Sequence, residues 1–204
     1  IVQTHLPRKF MFFEMNHFLL ANTSAAAEAV KVTFPEIESV VVQREFPDSV
    51  LVVVRERQGI ASWCQGEVRQ CFALDAHGVI FEEKPEGLSG EVIISEEGKN
   101  ATLGERVIDE KLLAKILEFQ QQLDSSALFR EVGLRVSSAV LVSKERVNVK
   151  ISEGWQIYLN PTENIDWQVT KVKLVLEKEI PSGKRPFLEY IDLRFGDQAY
   201  IKYR

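Results

Sequence analysis

The closing fifteen residues, Tyr190 to Arg204, restrict the fold of this chain more than any other stretch. They read Tyr-Ile-Asp-Leu-Arg-Phe, then Gly-Asp, then Gln-Ala-Tyr-Ile-Lys-Tyr-Arg. Two β-rich runs separated by two turn residues predict a hairpin, because Gly196 accepts a positive φ and Asp197 tolerates a tight bend. With that two-residue turn, Phe195 is expected opposite Gln198, Leu193 opposite Tyr200 and Ile191 opposite Lys202. Arg194 would face Ala199, and Asp192 would face Ile201. The second strand runs to the last residue of the sequence; if it lies at the sheet edge, its N–H and C=O groups are free to pair with another polypeptide.

A second signature lies upstream. It comprises Phe34-Pro35-Glu36-Ile37, then Val40 to Pro47 (Val-Val-Val-Gln-Arg-Glu-Phe-Pro), then Val50 to Arg57, which closes on Arg55-Glu56-Arg57. Taken with the Ile-Asp-Leu-Arg-Phe ending, this chain resembles the bacterial cell-division family FtsQ, called DivIB in Gram-positive bacteria. The resemblance runs from about Phe18 to Lys202 and rests on the order and spacing of several motifs. It implies an α+β chain: a POTRA-like domain over 1–58, shortened at its N-terminus, then a mostly antiparallel β domain with two helices over 59–204. It also implies a single-pass anchor in the cytoplasmic membrane, through a transmembrane helix ahead of this sequence. The present region would lie outside the cytoplasm at the division septum. The implied partners are FtsB (DivIC) and FtsL homologues. Strand addition at the C-terminal edge would engage them through Arg194, Phe195, Ala199, Tyr200, Ile201 and Lys202. Another POTRA-containing protein, such as an outer-membrane assembly or secretion factor, is the alternative. Only one candidate POTRA unit is present, and the C-terminal half lacks barrel-length strands in series.

Composition is ordinary for a soluble globular protein, at 45% hydrophobic and 27% charged. A net charge of −5 with no Lys/Arg cluster argues against a nucleic-acid surface. No run of 18 apolar residues exists, so nothing in the sequence spans a membrane as a helix. The sequence opens at Ile1 without initiator Met or signal peptide, which reads as an excised soluble region.

The two cysteines, Cys64 and Cys71, flank Gly66-Glu67. A pairing centred between Glu67 and Val68 places them opposite each other, within disulfide reach. A pairing centred one residue earlier puts Cys71 opposite Ser62 and leaves two unlinked thiols. Zinc is not expected, because no second Cys/His pair lies nearby. An oxidising compartment outside the cytoplasm would permit the bridge.

Elsewhere, Thr23 or Ser24 is a candidate N-cap for a helix ending near Phe34, with Ala26, Val30, Thr33 and Phe34 facing a sheet. Phe46 is expected to cover the core beside Phe34, with Pro47-Asp48 as the turn. Gln58-Gly59 marks the hinge. Asp75-Ala76-His77-Gly78 turns into Val79-Ile80-Phe81, and Glu91 to Ser95 forms a short strand. A helix over 109–123 presents Leu112, Ile116, Phe119 and Leu123. Glu131 to Ser137, Ala139 to Ser143, Arg146 to Ser152 and Trp155 to Leu159 read as a meander. Ile165, Val169, Val172 and Leu176 keep helical spacing despite many β-branched neighbours, so a second helix is predicted.

No catalytic constellation emerges. His5, His17 and His77 are scattered, Cys64 has no identifiable base, and neither a nucleophile elbow nor a Gly-rich phosphate loop is present. Glu82-Glu83 and Glu96-Glu97 read as solvated charge. Trp63, Trp155 and Trp167 read as core anchors. No cofactor and no metal are called for, and an enzyme with an unrecognised site is the least favoured class.

Overall fold

The computed structural model describes residues 23–46, 49–65, 70–84, 93–96 and 98–204. The expectations for residues 1–20, for the turns at Pro47-Asp48 and Gly66-Glu67, for the start of the Glu91 strand and for His5 and His17 lie outside these residues. The chain divides into two compact units, Ile1–Gln58 and Gly59–Arg204.

In the first unit, helix α1 (Thr23–Thr33) precedes an antiparallel pair, β1 (Ile37–Glu45) and β2 (Ser49–Glu56). β-Branched runs at Val40–Val42 and Val50–Val54 suit these strands. Thr23 and Ser24 already lie inside α1, so neither stands ahead of the helix as its cap. The helix face turned inward carries half-buried Thr23, Ala27 and Val30, whereas Ala26, Thr33 and Phe34 are exposed. Ile37 and Val40 are the buried apolar residues of the pair. Phe46 is 91% exposed and does not cover a core with Phe34. With its ring almost wholly in solvent at the end of β1, truncating it removes little buried surface.

The second unit is built on one nine-stranded sheet. In chain order the strands are β3 (Ala61–Gln65), β4 (Gln70–Leu74), β5 (Ile80–Lys84), β6 (Ile93–Glu96), β7 (Val136–Ser143), β8 (Arg146–Ile151), β9 (Gln156–Leu159), β10 (Leu188–Phe195) and β11 (Gln198–Tyr203). Their spatial order is β11-β10-β9-β8-β7-β6-β3-β4-β5. Most neighbours run antiparallel, and only β3/β6, β6/β7 and β9/β10 are parallel. A parallel neighbour needs a crossover rather than a tight turn. Helices α2 (Glu110–Asp124) and α3 (Ala127–Val132) lie between β6 and β7 in sequence, and α4 (Ile165–Lys178) lies between β9 and β10.

The helices form where caps and periodicity agree. The Asp109 side chain accepts from the Lys111 and Leu112 N–H groups, and Leu113, Ile116, Phe119 and Leu123 are buried beneath α2. Asn164 caps α4 through the Trp167 N–H, and Ile165, Val169, Val172 and Leu176 are buried along it. Helical spacing therefore prevails over β-branched content in α4, because its apolar stripe meets the sheet. The short α3 is a third helix where a strand was expected from Glu131. Ser126 caps it, Gly133 ends it, and a single strand, β7, replaces two short ones. Trp63 and Trp155 are fully buried, while Trp167 is 41% exposed on α4 and anchors no core.

The loop before β5 closes tightly. Asp75 accepts from the His77 and Val79 N–H groups. Gly78 has φ 77°, and a Cβ there would stand 2.0 Å from the Ile108 carbonyl oxygen. Only glycine fits that approach.

Candidate docking edge of the sheet

β10 and β11 turn through Gly196, whose φ is 52°. Phe195 pairs with Gln198 as expected. Beyond that pair the register differs from a regular hairpin: Asp192 faces Tyr200, Ile191 faces Ile201 and Tyr190 faces Lys202. Three steps along β10, from Asp192 to Phe195, match two along β11, so β10 carries one extra residue and bulges at Leu193-Arg194. Because side chains alternate, this single residue reverses the facing of the rest of β11 relative to the expected register. Ala199 and Ile201 consequently pack against the core, alongside buried Ile191 and Leu193.

The opposite face of the sheet is polar and aromatic. Tyr200 and Lys202 share it with Tyr190, Asp192 and Arg194 of β10, Tyr158 of β9 and Asn148 of β8. The rings of Tyr158 and Tyr190 stack with centroids 4.5 Å apart, and Phe195 meets Tyr200 edge-on at 5.1 Å. The Arg146 guanidinium lies 4.3 Å from the Tyr158 centroid, and the Lys202 ammonium lies 5.7 Å from that of Tyr190. Phe195 and Tyr200 are about half exposed.

Arg194 is already engaged within the chain. Its Nε and Nη2 donate to the two oxygens of Asp192 at 2.9 and 2.6 Å. That bidentate bond raises the Arg194 pKa further, and burial opposes the rise. Lys202, paired with Glu189 at 2.9 Å, is also raised, first by that hydrogen bond. Lys171 of α4 is shifted down: burial disfavours its charge, while Glu163, Asp197 and Asp192 partly compensate.

Among the described residues β11 has one strand neighbour, β10. The Arg204 N–H donates to the Phe187 carbonyl at 2.8 Å, which sets the phase of the strand. Since successive N–H groups alternate, those of Lys202, Tyr200 and Gln198 turn toward β10, and those of Tyr203, Ile201 and Ala199 turn away. The edge thus offers outward backbone at Ala199 and Ile201 while their side chains stay inside.

Arg194, Phe195, Ala199, Tyr200, Ile201 and Lys202 all sit on this one hairpin. Arg146, Tyr158 and Tyr190 join the same face and were not singled out from sequence. Their strands are neighbours only through the β8-β9-β10 order, so alternating aromatic and basic residues in three separate runs were the sole available signal. Cys64 and Cys71 stand opposite each other across β3 and β4, joined as a disulfide with Cα atoms 4.1 Å apart. His77 contacts Glu110 at 3.1 Å beside the β5 turn. Among the described residues no group of three or more His, Cys, Asp or Glu could hold a metal ion, and no helix is long and apolar enough to cross a membrane.

Comparison with known proteins matches residues 61–194 to the family "Cell division protein FtsQ/DivIB, C-terminal". Residues 14–57 match the "POTRA domain, FtsQ-type". Two similar proteins are each named cell division protein FtsQ, one from Neisseria gonorrhoeae and one from Neisseria meningitidis serogroup B. Each is 25% identical over 189 residues, which is 92% of this chain. The shared span is 68% of the first relative and 70% of the second.

Proposed function

The chain belongs to the FtsQ/DivIB family of cell-division proteins, and from that premise we propose that it is a non-enzymatic divisome scaffold whose open β11 edge receives a partner strand. The observation that carries this reading is an edge with no second strand neighbour among the described residues, whose outward N–H groups, at Ala199 and Ile201, adjoin exposed Phe195 and Tyr200. Backbone pairing supplies orientation, and the two rings supply apolar contact. Arg194 keeps Nη1 for a carboxylate of the partner, next to the Asp192 that holds the guanidinium flat. Lys202 adds a second cation on the same face. The partners are the chain's own FtsB/DivIC and FtsL homologues, and the scaffold's role is to recruit and regulate septal peptidoglycan synthesis. The region works outside the cytoplasm at the septum, held by a transmembrane helix of the full-length protein. An oxidising location suits the Cys64–Cys71 bridge.

The test is calorimetric titration of this chain with the extracytoplasmic part of its FtsB/DivIC homologue. Proline at Ala199 or Ile201 removes an outward N–H and keeps every bond to β10. Loss of binding in both variants, with the circular dichroism spectrum retained, is the expected result. Unchanged binding in both overturns edge pairing.

A further inference from the structure

Lys171 occupies an unusual place for a lysine. It lies on the buried face of α4 between Gln168 and Val172, and it is 4% exposed. Among the described residues no carboxylate bonds it directly. Its ammonium donates to the carbonyls of Leu193 at 2.5 Å and Gly196 at 2.6 Å, and reaches that of Gln198 at 3.5 Å. A buried cation is costly unless its donors are used, and here the three acceptors belong to one structure, the tip of the β10–β11 hairpin.

The positions of those acceptors matter. Leu193 sits at the β10 bulge, where the extra residue has no opposite number in β11. A carbonyl at such a point drops out of the ladder and needs a donor from elsewhere. Gly196 and Gln198 lie in and just after the turn. One ammonium therefore ties the bulge, the turn and the start of β11 to helix α4.

We propose that Lys171 is a positioning residue for the docking edge: it holds the bulge and the turn in place, and so aims Arg194, Phe195 and Tyr200 outward. This rests on the edge-docking reading above. The bulge decides the facing of β11. Without the extra residue, Tyr200 would oppose Leu193 and Lys202 would oppose Ile191, turning a phenol and an ammonium toward the core. Ala199 and Ile201 would turn out. A lysine on the buried face of α4, next to the equally buried Gln168, thus selects which side chains a partner strand meets.

The experiment compares K171M, which keeps length and loses the donors, with K173M on the same helix. Amide hydrogen exchange of the whole chain is read by NMR, together with binding of the FtsB/DivIC fragment. In K171M, the Gln198 and Tyr200 amides should exchange at least about tenfold faster, while Val149 and Ile157 in the sheet interior keep their protection. Binding should weaken by about tenfold. K173M should do neither. A merely structural lysine would lower protection throughout the sheet rather than at the tip. Unchanged exchange at Gln198 and Tyr200 overturns the inference, as does faster exchange with unaltered binding. Should K171M fail to fold, the wild-type Lys171 ammonium signal decides: slow proton exchange is expected, and rapid exchange overturns the latch. The proline variants keep the two readings apart. If they abolish binding and K171M does not weaken it, the positioning role alone falls.

Discussion

The two edges of the nine-stranded sheet meet the same physical problem in opposite ways. At β5 the chain covers its own edge: the Ile80 N–H donates to the Glu105 carbonyl at 3.1 Å, and the Gly104 N–H donates back to the Ile80 carbonyl at 2.7 Å. Val79 and Arg106 form a bridge beside them, and the rest of this five-residue strand presents exposed Glu82 and Glu83. Self-cover, brevity and charge are standard defences against edge-to-edge association. At β11 no such cover is seen among the described residues, and beside the charged Lys202 the strand carries Tyr200, Ile201 and Tyr203, with Phe195 at its turn. Among the described residues the sheet thus covers one edge and leaves the other without a second strand, and the proposed partner strand would sit at the latter. Closing an edge takes a nearby segment with free donors and acceptors, as residues 104–107 provide for β5, whereas the hairpin tip spends its inward acceptors on Lys171.

The sharpest way to break this contrast is a substitution at each edge. A199P and I201P should weaken partner binding by at least about 100-fold, roughly 3 kcal/mol, in the calorimetric titration. The charge reversal E82K on the β5 edge should leave binding within about twofold, because that edge takes no part. Equal losses from both edges would erase the distinction.

The protected edge can be attacked directly. G78A forces a Cβ against the Ile108 carbonyl in a backbone conformation that suits glycine. It should cost about 3 kcal/mol in urea denaturation. It should also promote concentration-dependent self-association in sedimentation, as the cover over β5 loosens.

Reduction of Cys64–Cys71 sharpens the comparison further, since the bridge braces β3 to β4, one strand in from β5. The C64A/C71A variant should lose about 2 kcal/mol of stability. Exchange should accelerate in β4 and β5, while β11 and partner binding stay unaffected. A drop in binding equal to that of A199P would mean that the two edges are coupled.

The smallest effect is a pH dependence confined to the open side. Burial holds the folded-state pKa of Lys171 below its unfolded value. Folding then disfavours the bound proton, so this group's contribution to stability should rise as pH climbs from neutral into the alkaline range. Lys202 is raised and runs the other way, losing stability as pH rises through its folded value. Subtracting the K171M profile from that of wild type isolates the first trend. A difference that fell with pH would contradict the assigned burial.

Much of the architecture could be read from local chemistry. The Asp75-x-x-Gly78 turn, the Asp109 cap and the apolar stripe of α4 each contain the residues that stabilise them within a few positions. The Gly196-Asp197 turn and the Phe195–Gln198 closing pair likewise follow from two residues. Arrangements that depend on distant partners were not legible. Phe46 reads as a core residue from its neighbours, yet no packed face meets its ring. Trp167 looks like an anchor but falls on the outer side of α4, because the stripe through Ile165, Val169 and Val172 takes the sheet. That a hairpin forms, and where it turns, follows from local residues, because turn residues and β-branched runs act over short distances. Its register and the side chains that face out depend instead on distant parts of the fold. The bulge at Leu193 depends on an ammonium arriving from a helix 22 residues away and on a core that accepts Ala199 and Ile201 rather than Tyr200 and Lys202.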